Sequence, residues 1–395
     1  MKKPKALPLE GIRIVEITTA WVGPGSGGIL AGMGAEVIKI ENPARPDFWR
    51  RCPPFADGKP GNNRSGAFAL LNRGKKDCVL DLKSPAGADA VKRLVKISDM
   101  VITNFAPRVM GNFGLSYADL RKVKPDIIMV SASGYGVNGP DRDRVAFGPV
   151  LEAYSGLSCL IGEPGSPAQL CGTSITDHIG CTNAAFAALA ALHHRNRTGE
   201  GQFVDLSESE TALVCMGDAV MEYTMNHRVP QPHGNHDEVM APHNCYRCKG
   251  EDRWLAIAIA SDEEWQSLCR VIAKPGLSTD ERFQDGFLRW KNQDELDKII
   301  AAWAKEQDSM AVAPQLQQAG VAAAPVTSSE DLYNDPHLRA REYFVEHEHP
   351  EVGKRELPGV IARLSATPGK IGGYDPLLGE HTDWVLNELL GEKKP

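Results

Sequence analysis

The sequence lacks the long apolar segments of a membrane protein. No part of its 395 residues approaches the roughly 20 consecutive apolar residues that a membrane-spanning helix needs. Its basic N-terminal stretch, MKKPKALPLEG, has no apolar core of the kind that secretory signals carry. Internal repeats and low-complexity tracts are also missing. These absences predict a cytoplasmic protein that has no membrane partner.

The sequence also lacks an excess of positive charge. Its 44 Lys and Arg residues are outnumbered by 51 Asp and Glu residues, which gives a net charge of −7. This balance argues against nucleic acid as the main partner, although local basic clusters can still bind a phosphorylated ligand. The nine cysteines are scattered and odd in number, which favours free thiols in a reducing compartment.

The first 135 residues alternate between strand and helix patterns. Since 395 residues are too many for one small core, we expect two domains. Strands separated by helices at this spacing predict parallel βαβ units, and hence an α/β fold. The predicted strands cover residues 12–18, 36–41, 77–82, 100–104 and 127–134, and a helix is predicted from Ser84 to Ile97.

An alanine-rich segment, 177–201, gives the clearest helix prediction in the chain, because alanine has the highest helix propensity. A strand at 202–208 follows, and 226–243, rich in Asn, His and Pro, is interpreted as a linker. A second alternating unit then begins. Its predicted elements are strands at 253–260 and 321–328, helices at 262–272 and 328–342, and a final helix at 381–391.

Three glycines directly after the first predicted strand form a G-x-G-x-x-G motif: Gly23, Gly25 and Gly28. Glu41 ends the next strand, where an acidic residue could bind a ribose. Together they resemble a dinucleotide-binding fingerprint. Two alternatives remain: a glycine-rich turn that lets a helix pack closely, or backbone N–H groups that face another pyrophosphate.

Cys245 and Cys248 form a C-x-x-C pair beside His243. A structural zinc site needs four ligands, but the chain has no second C-x-x-C, and the spacing of the nearby histidines does not fit a zinc finger. The pattern therefore favours two small apolar side chains, and we predict no metal site.

Asp177 stands at the start of the alanine-rich helix. Aspartate is a common helix N-cap, so a purely structural role is one interpretation. The other is a nucleophile, because the free N–H groups and partial positive charge of a helix N-terminus favour an ionised carboxylate and stabilise an oxyanion. In that case Gly180 is expected to leave room for a ligand above the first turn.

Several segments, in order, resemble the class III CoA-transferases, the family of formyl-CoA:oxalate and carnitine CoA-transferases. They include LEGIRIVEIT, GAEVIKIENP, LNRGKKDCVLDLKSPAG, ITNFAPRVMGNFGLSYADL, ASGYGVNGP and TDHIGCTNAAFAALAALHHRNRTGEG, spread over nearly the whole chain. The resemblance implies a Rossmann-like large domain built from both chain ends, a smaller α/β domain and an interlocked dimer. The implied boundaries are 1–200 for the first part of the large domain, 201–225 for a linker, 226–325 for the small domain, and 326–395 for the return to the large domain.

The resemblance also implies roles for individual residues, with Asp177 as the nucleophile. Where the family has arginines this chain has Asn42 and Asn112, so Arg45 and Arg108 are the nearest substitutes. A glycine-rich loop that covers the aspartate in the oxalate enzyme is not evident, which argues against formate or oxalate as substrates. The other implied CoA contacts are Ala20, Trp21, Val22, Leu80, Lys83, Asn104, Phe105, Val109, Phe113 and Arg144.

The implied activity is the transfer of CoA from an acyl-CoA, with succinyl-CoA as the expected donor, to a carboxylic acid, with no tightly bound cofactor. The sequence is similar to succinyl-CoA:benzylsuccinate transferases, which pair two related subunits; this implies (R)-benzylsuccinate as acceptor, and either a homodimer or a heterodimer. An acyl-CoA racemase is an alternative that would need a base, such as His178 or Glu208, beside the aspartate. A nicotinamide-dependent dehydrogenase and a non-catalytic subunit are further alternatives.

Overall fold

The computed structural model describes residues 7–391, which form two compact units. The first takes in the chain up to Ser158, Leu170–Val229 and the chain from Arg339 onward, so both ends of the chain contribute to it. The second consists of Cys159–Gln169 and Pro230–Leu338. The segment 201–225, predicted as a linker, differs from that prediction because it supplies a sheet strand and two helices to the first unit.

A parallel six-stranded sheet forms the centre of the first unit. Its strands are β1 Arg13–Ile17, β2 Glu36–Glu41, β3 Lys76–Val79, β4 Met100–Thr103, β5 Ile128–Ser133 and β6 Phe203–Ser207. They lie in the order β3-β2-β1-β4-β5-β6, which is that of doubly wound nucleotide-binding folds, and the strand order reverses between β1 and β4. Buried apolar side chains occur in each of the strands β1 to β5, as expected when helices cover both faces.

Helices cover this sheet on both faces. One apolar core lies between the sheet and α1 and α7, and the other includes α3, α5 and a π-helical turn at Trp384–Leu389. The α-helices of this part are α1 Val22–Gly32, α2 Gly66–Asn72, α3 Pro85–Lys96, α4 Pro107–Asn112, α5 Tyr117–Val123, α6 Gly148–Tyr154, α7 Ile175–Thr198, α8 Glu208–Leu213 and α9 Gly217–Asn226.

The second unit is an antiparallel three-stranded sheet with helices packed on one face. Its strands are β7 His243–Arg247, β8 Trp254–Ala258 and β9 Ala322–Val326. The core includes Leu255, Ile257 and Trp265. The helices between Asp262 and Ala340 are α10 Asp262–Val271, α11 Gly286–Lys291, α12 Gln293–Ala304, α13 Ser309–Gln318, α14 Ser329–Asn334 and α15 Pro336–Ala340.

The remaining strands form a hairpin in the first unit, β10 Phe344–His349 and β11 Gly353–Pro358. Across residues 7–391, no helix is both long enough and apolar enough to cross a membrane. The same range contains no group of three His, Cys, Asp or Glu side chains placed to hold a metal ion. Cys245 lies within β7 and Cys248 follows it as a buried residue.

A buried ion network supports the segment between β1 and α1. Glu16, on β1, lies 2.7 Å from the Lys75 ammonium and 3.3 Å from that of Lys39, and all three side chains are fully buried. Lys75 also donates to the Pro24 carbonyl at 2.7 Å. Gly27 has to be a glycine, because a Cβ there would come within 1.8 Å of Glu16 Oε2.

Candidate active site

A cavity of about 270 Å³ opens where the carboxyl ends of four parallel strands meet. It is lined by residues after β1, β4, β5 and β6, together with Asp177 from α7. Such an edge, at the point where the strand order reverses, is where open α/β sheets bind their ligands. The fold therefore makes this cavity the candidate active site.

Nine of the residues predicted as nucleophile or CoA contacts line this cavity, although they come from four separate stretches of chain. They are Ala20, Trp21, Val22, Asn104, Phe105, Arg108, Val109, Arg144 and Asp177. The parallel sheet explains their convergence, because β1 and β4 are neighbours and the segments that follow them leave the sheet at the same edge.

The other four predicted CoA contacts lie outside the cavity lining. Leu80 is buried in the apolar core below the sheet, and Phe113 packs against the same core. Lys83 and Arg45 are exposed in surface turns, where Lys83 N–H bonds Asp81 and Arg45 N–H bonds the Asn42 carbonyl. Within the described part of the chain, none of these four residues lines the cavity.

Asp177 is the third residue of α7, since the helix begins at Ile175 after Ser174. The interpretation of Asp177 as the N-cap residue is therefore wrong. Its side chain is turned inward and only 7% exposed. On one side it faces Gly148, where a Cβ would come within 1.9 Å of Asp177 Oδ2. A buried carboxylate in the first helical turn, open to a cavity, suits a nucleophile better than a cap.

Burial raises the pKa of Asp177 to about 6. The nearby charge of His178 and hydrogen bonding with Glu208, Ser174 and the Val22 backbone limit the rise, because each favours the ionised form. An acid with such a pKa is largely ionised at neutral pH, as attack by its oxygen requires.

Glu208, the first residue of α8, lines the cavity with Asp177, although the sequence analysis named it only as a candidate base for a racemase and not as part of a transferase site. It is 5% exposed, and burial together with the charge of Asp177 raises its pKa to about 8. Its position directly after β6 was the available signal, because residues after parallel strands share one edge of the sheet.

The expectation that Gly180 leaves room for a ligand is wrong. A Cβ at Gly180 would lie 2.9 Å from Val22 Cγ2 and 3.1 Å from Glu208 Cγ. The missing side chain is thus used to bring Glu208 and Val22 against the first turns of α7. Gly180 shapes the site through packing within the protein.

The segment after β1 is held in place by a side-chain clamp. The Asn104 amide donates to the Thr19 carbonyl at 2.7 Å and accepts from the Thr19 N–H at 3.0 Å. Ala20 follows with a positive φ of 61°, a conformation that non-glycine residues seldom adopt. Trp21 then packs on His178, with ring centroids 4.8 Å apart. Asn104 therefore positions the cavity wall.

The glycine motif does not form a dinucleotide-binding turn. Its three glycines lie within α1, where a Cβ at Gly28 would come within 2.5 Å of the Leu71 carbonyl and one at Gly25 within 3.0 Å of Cys181. Glu41 is buried and its carboxylate is occupied by Arg50 at 2.8 Å. The close-packing interpretation of the glycines is the one that this geometry supports.

Together, the strand order, the cavity at the switch point and the buried carboxylate describe a doubly wound α/β protein with a ligand site. The chain belongs to CoA-transferase family III, whose sequence profile matches residues 9–382. As a member of this family it is a transferase whose substrates are CoA thioesters.

Among curated proteins, the chain is 35% identical to a succinyl-CoA–D-citramalate CoA-transferase of Chloroflexus aurantiacus, over 97% of this chain and 94% of that protein. It is 32% identical to the beta subunit of a succinyl-CoA–L-malate CoA-transferase of the same organism, over 98% and 95%. Among solved structures, a CaiB/BaiF family protein from Brucella suis superposes with a TM-score of 0.87 at 28% identity, covering 98% of this chain and all of that one. These relatives favour a transferase over the racemase and dehydrogenase alternatives.

Proposed function

We propose that this protein transfers CoA from succinyl-CoA to an acceptor dicarboxylic acid, with Asp177 as the covalent nucleophile. The observation that carries the proposal is the buried Asp177 carboxylate, which faces the cavity from the first turn of α7. Asp177 is the carboxylate that the family resemblance predicted, and it is held where N–H groups of the helix N-terminus favour its ionised form.

In the proposed reaction, an Asp177 oxygen attacks the succinyl-CoA carbonyl, releasing CoA thiolate and forming a mixed anhydride. The thiolate then attacks the aspartyl carbonyl, which releases succinate and gives an aspartyl-CoA thioester. The acceptor carboxylate attacks this thioester, and the released thiolate resolves the second anhydride into the new acyl-CoA. Because thioester bonds are exchanged, the overall free-energy change is small and no ATP is needed.

The same site has the features that this sequence of steps requires. Anhydrides hydrolyse readily, so water has to be excluded, and Trp21, Val22 and Phe147 supply apolar surface around Asp177. Arg108, Arg142 and Arg144 line the other part of the cavity and suit the phosphates of CoA. Binding energy from the nucleotide end of CoA can then offset the cost of the high-energy intermediates.

The acceptor is proposed to be a short dicarboxylic acid. Two relatives are named for citramalate and malate as partners of succinyl-CoA, and both of these acids carry two carboxylates. The acceptor implied by the sequence resemblance, (R)-benzylsuccinate, belongs to the same chemical class. A second carboxylate would distinguish these acids from monocarboxylic competitors through one additional charged contact.

The protein is further proposed to form an interlocked dimer, with a second copy or with a related chain. Helix α9 supports an association surface, because none of its residues is buried within the chain and several of them are apolar. Met221, Tyr223 and Met225 are 55–69% exposed. One relative is named as the beta subunit of a transferase, which makes a related partner chain a specific candidate.

The direct test is incubation of the purified protein with succinyl-CoA and a panel of acids, followed by mass analysis of the CoA esters formed. The panel should contain citramalate, malate and (R)-benzylsuccinate, with acetate and butyrate as monocarboxylic controls. We expect new CoA esters of dicarboxylic acids and matched release of succinate. A panel in which only monocarboxylic acids react would contradict the proposed acceptor class, and no new ester with any acid would contradict the donor.

A further inference from the structure

We propose that Glu208 is a positioning residue for Asp177: protonated at neutral pH, it donates a hydrogen bond to one Asp177 oxygen and leaves the other oxygen free to attack. This inference deepens the proposed function and rests on Asp177 being the nucleophile. Two acids would then share one proton in the resting site.

The first support is the burial and convergence of the two carboxyl groups. Asp177 is 7% exposed and Glu208 5%, and both line the same cavity. Gly180 makes the close approach possible, because a Cβ there would lie 3.1 Å from Glu208 Cγ and 2.9 Å from Val22 Cγ2 and would press both away from α7. The fold thus brings two acids together from helices that follow different parts of the chain, α7 and α8.

The second support is an unused polar atom. Glu208 Oε1 is fully buried and has no hydrogen-bond partner within the described residues. A buried carboxylate oxygen without a donor is costly when charged, but much less so when the group is neutral. The geometry therefore favours the protonated form of Glu208 beside an ionised Asp177.

The surrounding charges agree with this assignment. On α7, Asp177 and the Cys181 thiol face Glu208, and His178 acts on Asp177. On the neighbouring α6, Glu152 is committed to the Cys171 N–H at 2.6 Å. On β6, Asp205 accepts from the Val137 N–H. The arginines of the cavity complete the set: Arg108, Arg142 and Arg144.

Among the described residues, the bonds of those arginines go to the loop 141–144, where Arg108 donates to the Asp143 carbonyl at 3.4 Å. Arg144 pairs with Asp141 at 3.0 Å, and Arg142 contacts Asp143. No ion pair of the described residues involves Glu208. With two acids in contact and no paired cation, like-charge repulsion opposes ionisation of both. The pKa values of about 6 for Asp177 and about 8 for Glu208 follow this order, and they describe the pair as a unit.

The proton balance of the reaction is simple. When Asp177 attacks the acyl carbonyl it becomes an anhydride and later a thioester, and it loses its negative charge. The Glu208 proton stays on Glu208 throughout, and its O–H then donates to the aspartyl carbonyl oxygen and polarises it for attack. CoA leaves and returns as a thiolate, so no proton has to be gained or lost in the exchange.

The test compares Glu208→Gln, which keeps a permanent donor, with Glu208→Met, which has a similar length and no donor. Glu210→Gln, an exposed acid in the same first turn, is the matched control. At pH 7 we expect kcat to fall about 10- to 100-fold or more in Glu208→Met, a loss like that of one oxyanion-hole donor. In Glu208→Gln it should fall only a few-fold, and KM for the CoA ester should change little in either variant.

The pH profile distinguishes positioning from a merely structural role. In the wild type, kcat/KM should fall below about 6, as Asp177 is protonated, and above about 8, as Glu208 ionises. The alkaline fall should disappear in Glu208→Gln and remain in Glu210→Gln. A Glu208→Met variant with wild-type kcat, or an alkaline fall that persists in Glu208→Gln, would overturn the inference.

A second measurement is independent of substrate and of folding of the Met variant. In the infrared difference spectrum of the wild type minus Glu208→Gln, a protonated-carboxyl C=O band should be present at pH 7 and vanish as the pH rises past 8. Burial also raises the pKa of Asp77 to about 8, but Asp77 is present in both proteins and cancels in the difference. Absence of this band at pH 7 overturns the shared proton whether or not the protein transfers CoA. Absence of CoA transfer by the wild type, in contrast, overturns the proposed function.

Discussion

Asp177 Oδ2 lies so close to the backbone of Gly148 that a Cβ on that glycine would come within 1.9 Å of it. The contact joins the first residue of α6 to the first turn of α7. It is reinforced by Thr176, whose hydroxyl donates to the Gly148 carbonyl at 3.0 Å. The position of the candidate nucleophile thus depends on the absence of a side chain at residue 148.

Substitution of this glycine should impair catalysis more than folding. In Gly148→Ala the new methyl group displaces the Asp177 carboxylate by roughly 1 Å or more, and such a displacement can cost about 100-fold in kcat. Steady-state kinetics and thermal unfolding should be measured together. Gly276→Ala, at an exposed glycine whose Cβ would meet nothing within 4 Å, is the control and should retain its activity. Wild-type kcat in Gly148→Ala would refute the role given to this contact.

Asp177→Asn should remove turnover while the fold remains. The amide keeps the shape and hydrogen-bonding capacity of the side chain but has no nucleophilic oxygen, so kcat should fall by several orders of magnitude. Hydroxylamine added during turnover should modify the wild-type peptide that carries Asp177, and it should leave the variant unmodified. Asp177→Glu should also lose about 100-fold, because the added methylene displaces the oxygen. Near-normal turnover in Asp177→Asn would refute the mechanism.

The same substitution should not destabilise the protein at neutral pH. The folded-state pKa of Asp177 is raised from 3.8 to about 6, so the folded state holds the ionised form less favourably than the unfolded chain does. The resulting penalty develops as the pH rises from about 4 to 6 and persists above that range. Asp177→Asn removes it, and urea unfolding at pH 7 should give a gain of about 1–3 kcal/mol. At pH 4 the gain should largely vanish.

Much of the first unit could be predicted from the sequence, because buried parallel strands have a strong local signal. The strand predicted at 36–41 has those bounds in the structure, and the alanine-rich helix was placed within two or three residues of Ile175–Thr198. The resemblance of several sequence segments, in order, to class III CoA-transferases predicted the family, which the sequence profile confirms. Local propensity and segment order were sufficient at these places.

Contacts between distant parts of the chain could not be predicted in the same way. The sequence predicted open space for a ligand at Gly180. In the structure the side chain of Glu208, 28 residues later in the chain, packs against this glycine. Leu80 matched a family position but is part of the core under β3. In both cases the outcome depends on packing between elements, for which one sequence carries no direct signal. The same holds for Glu41, whose carboxylate is committed to Arg50.

Helix α9 should contribute to association between chains. Met221 and Met225 are 57% and 69% exposed, and replacing both with lysine puts charges into an apolar surface, so the proposed dimer should weaken. Sedimentation should detect a shift to lower mass on dilution. Thr224→Lys adds one charge to the same helix without removing an apolar side chain, and it should have a smaller effect. Unchanged association of the double variant would exclude α9 from the interface.

The buried ion network below α1 makes a prediction about stability. Glu16 faces two lysines, and Lys75 is the more dependent on it, because Lys39 has a second partner in Asp47 at 2.8 Å. Burial lowers the pKa of Lys75 to about 8 even with Glu16 in place. Removing the Glu16 charge would therefore leave a buried ammonium without its counterion.

Glu16→Gln should destabilise the fold by about 3–5 kcal/mol at pH 7, the usual cost of removing one partner from a buried ion pair. Glu36→Gln is the matched control, because Glu36 lies on the adjacent strand and pairs with Arg13 where both side chains are partly exposed. That pair should contribute no more than about 1 kcal/mol. Urea unfolding of the two variants compares the contribution of the buried ion pair to stability with that of the partly exposed pair. The loss of unfolding free energy in Glu16→Gln should shrink above pH 8, where Lys75 becomes neutral. An equal loss in Glu16→Gln and Glu36→Gln would mean that the buried network contributes no more to stability than a surface ion pair.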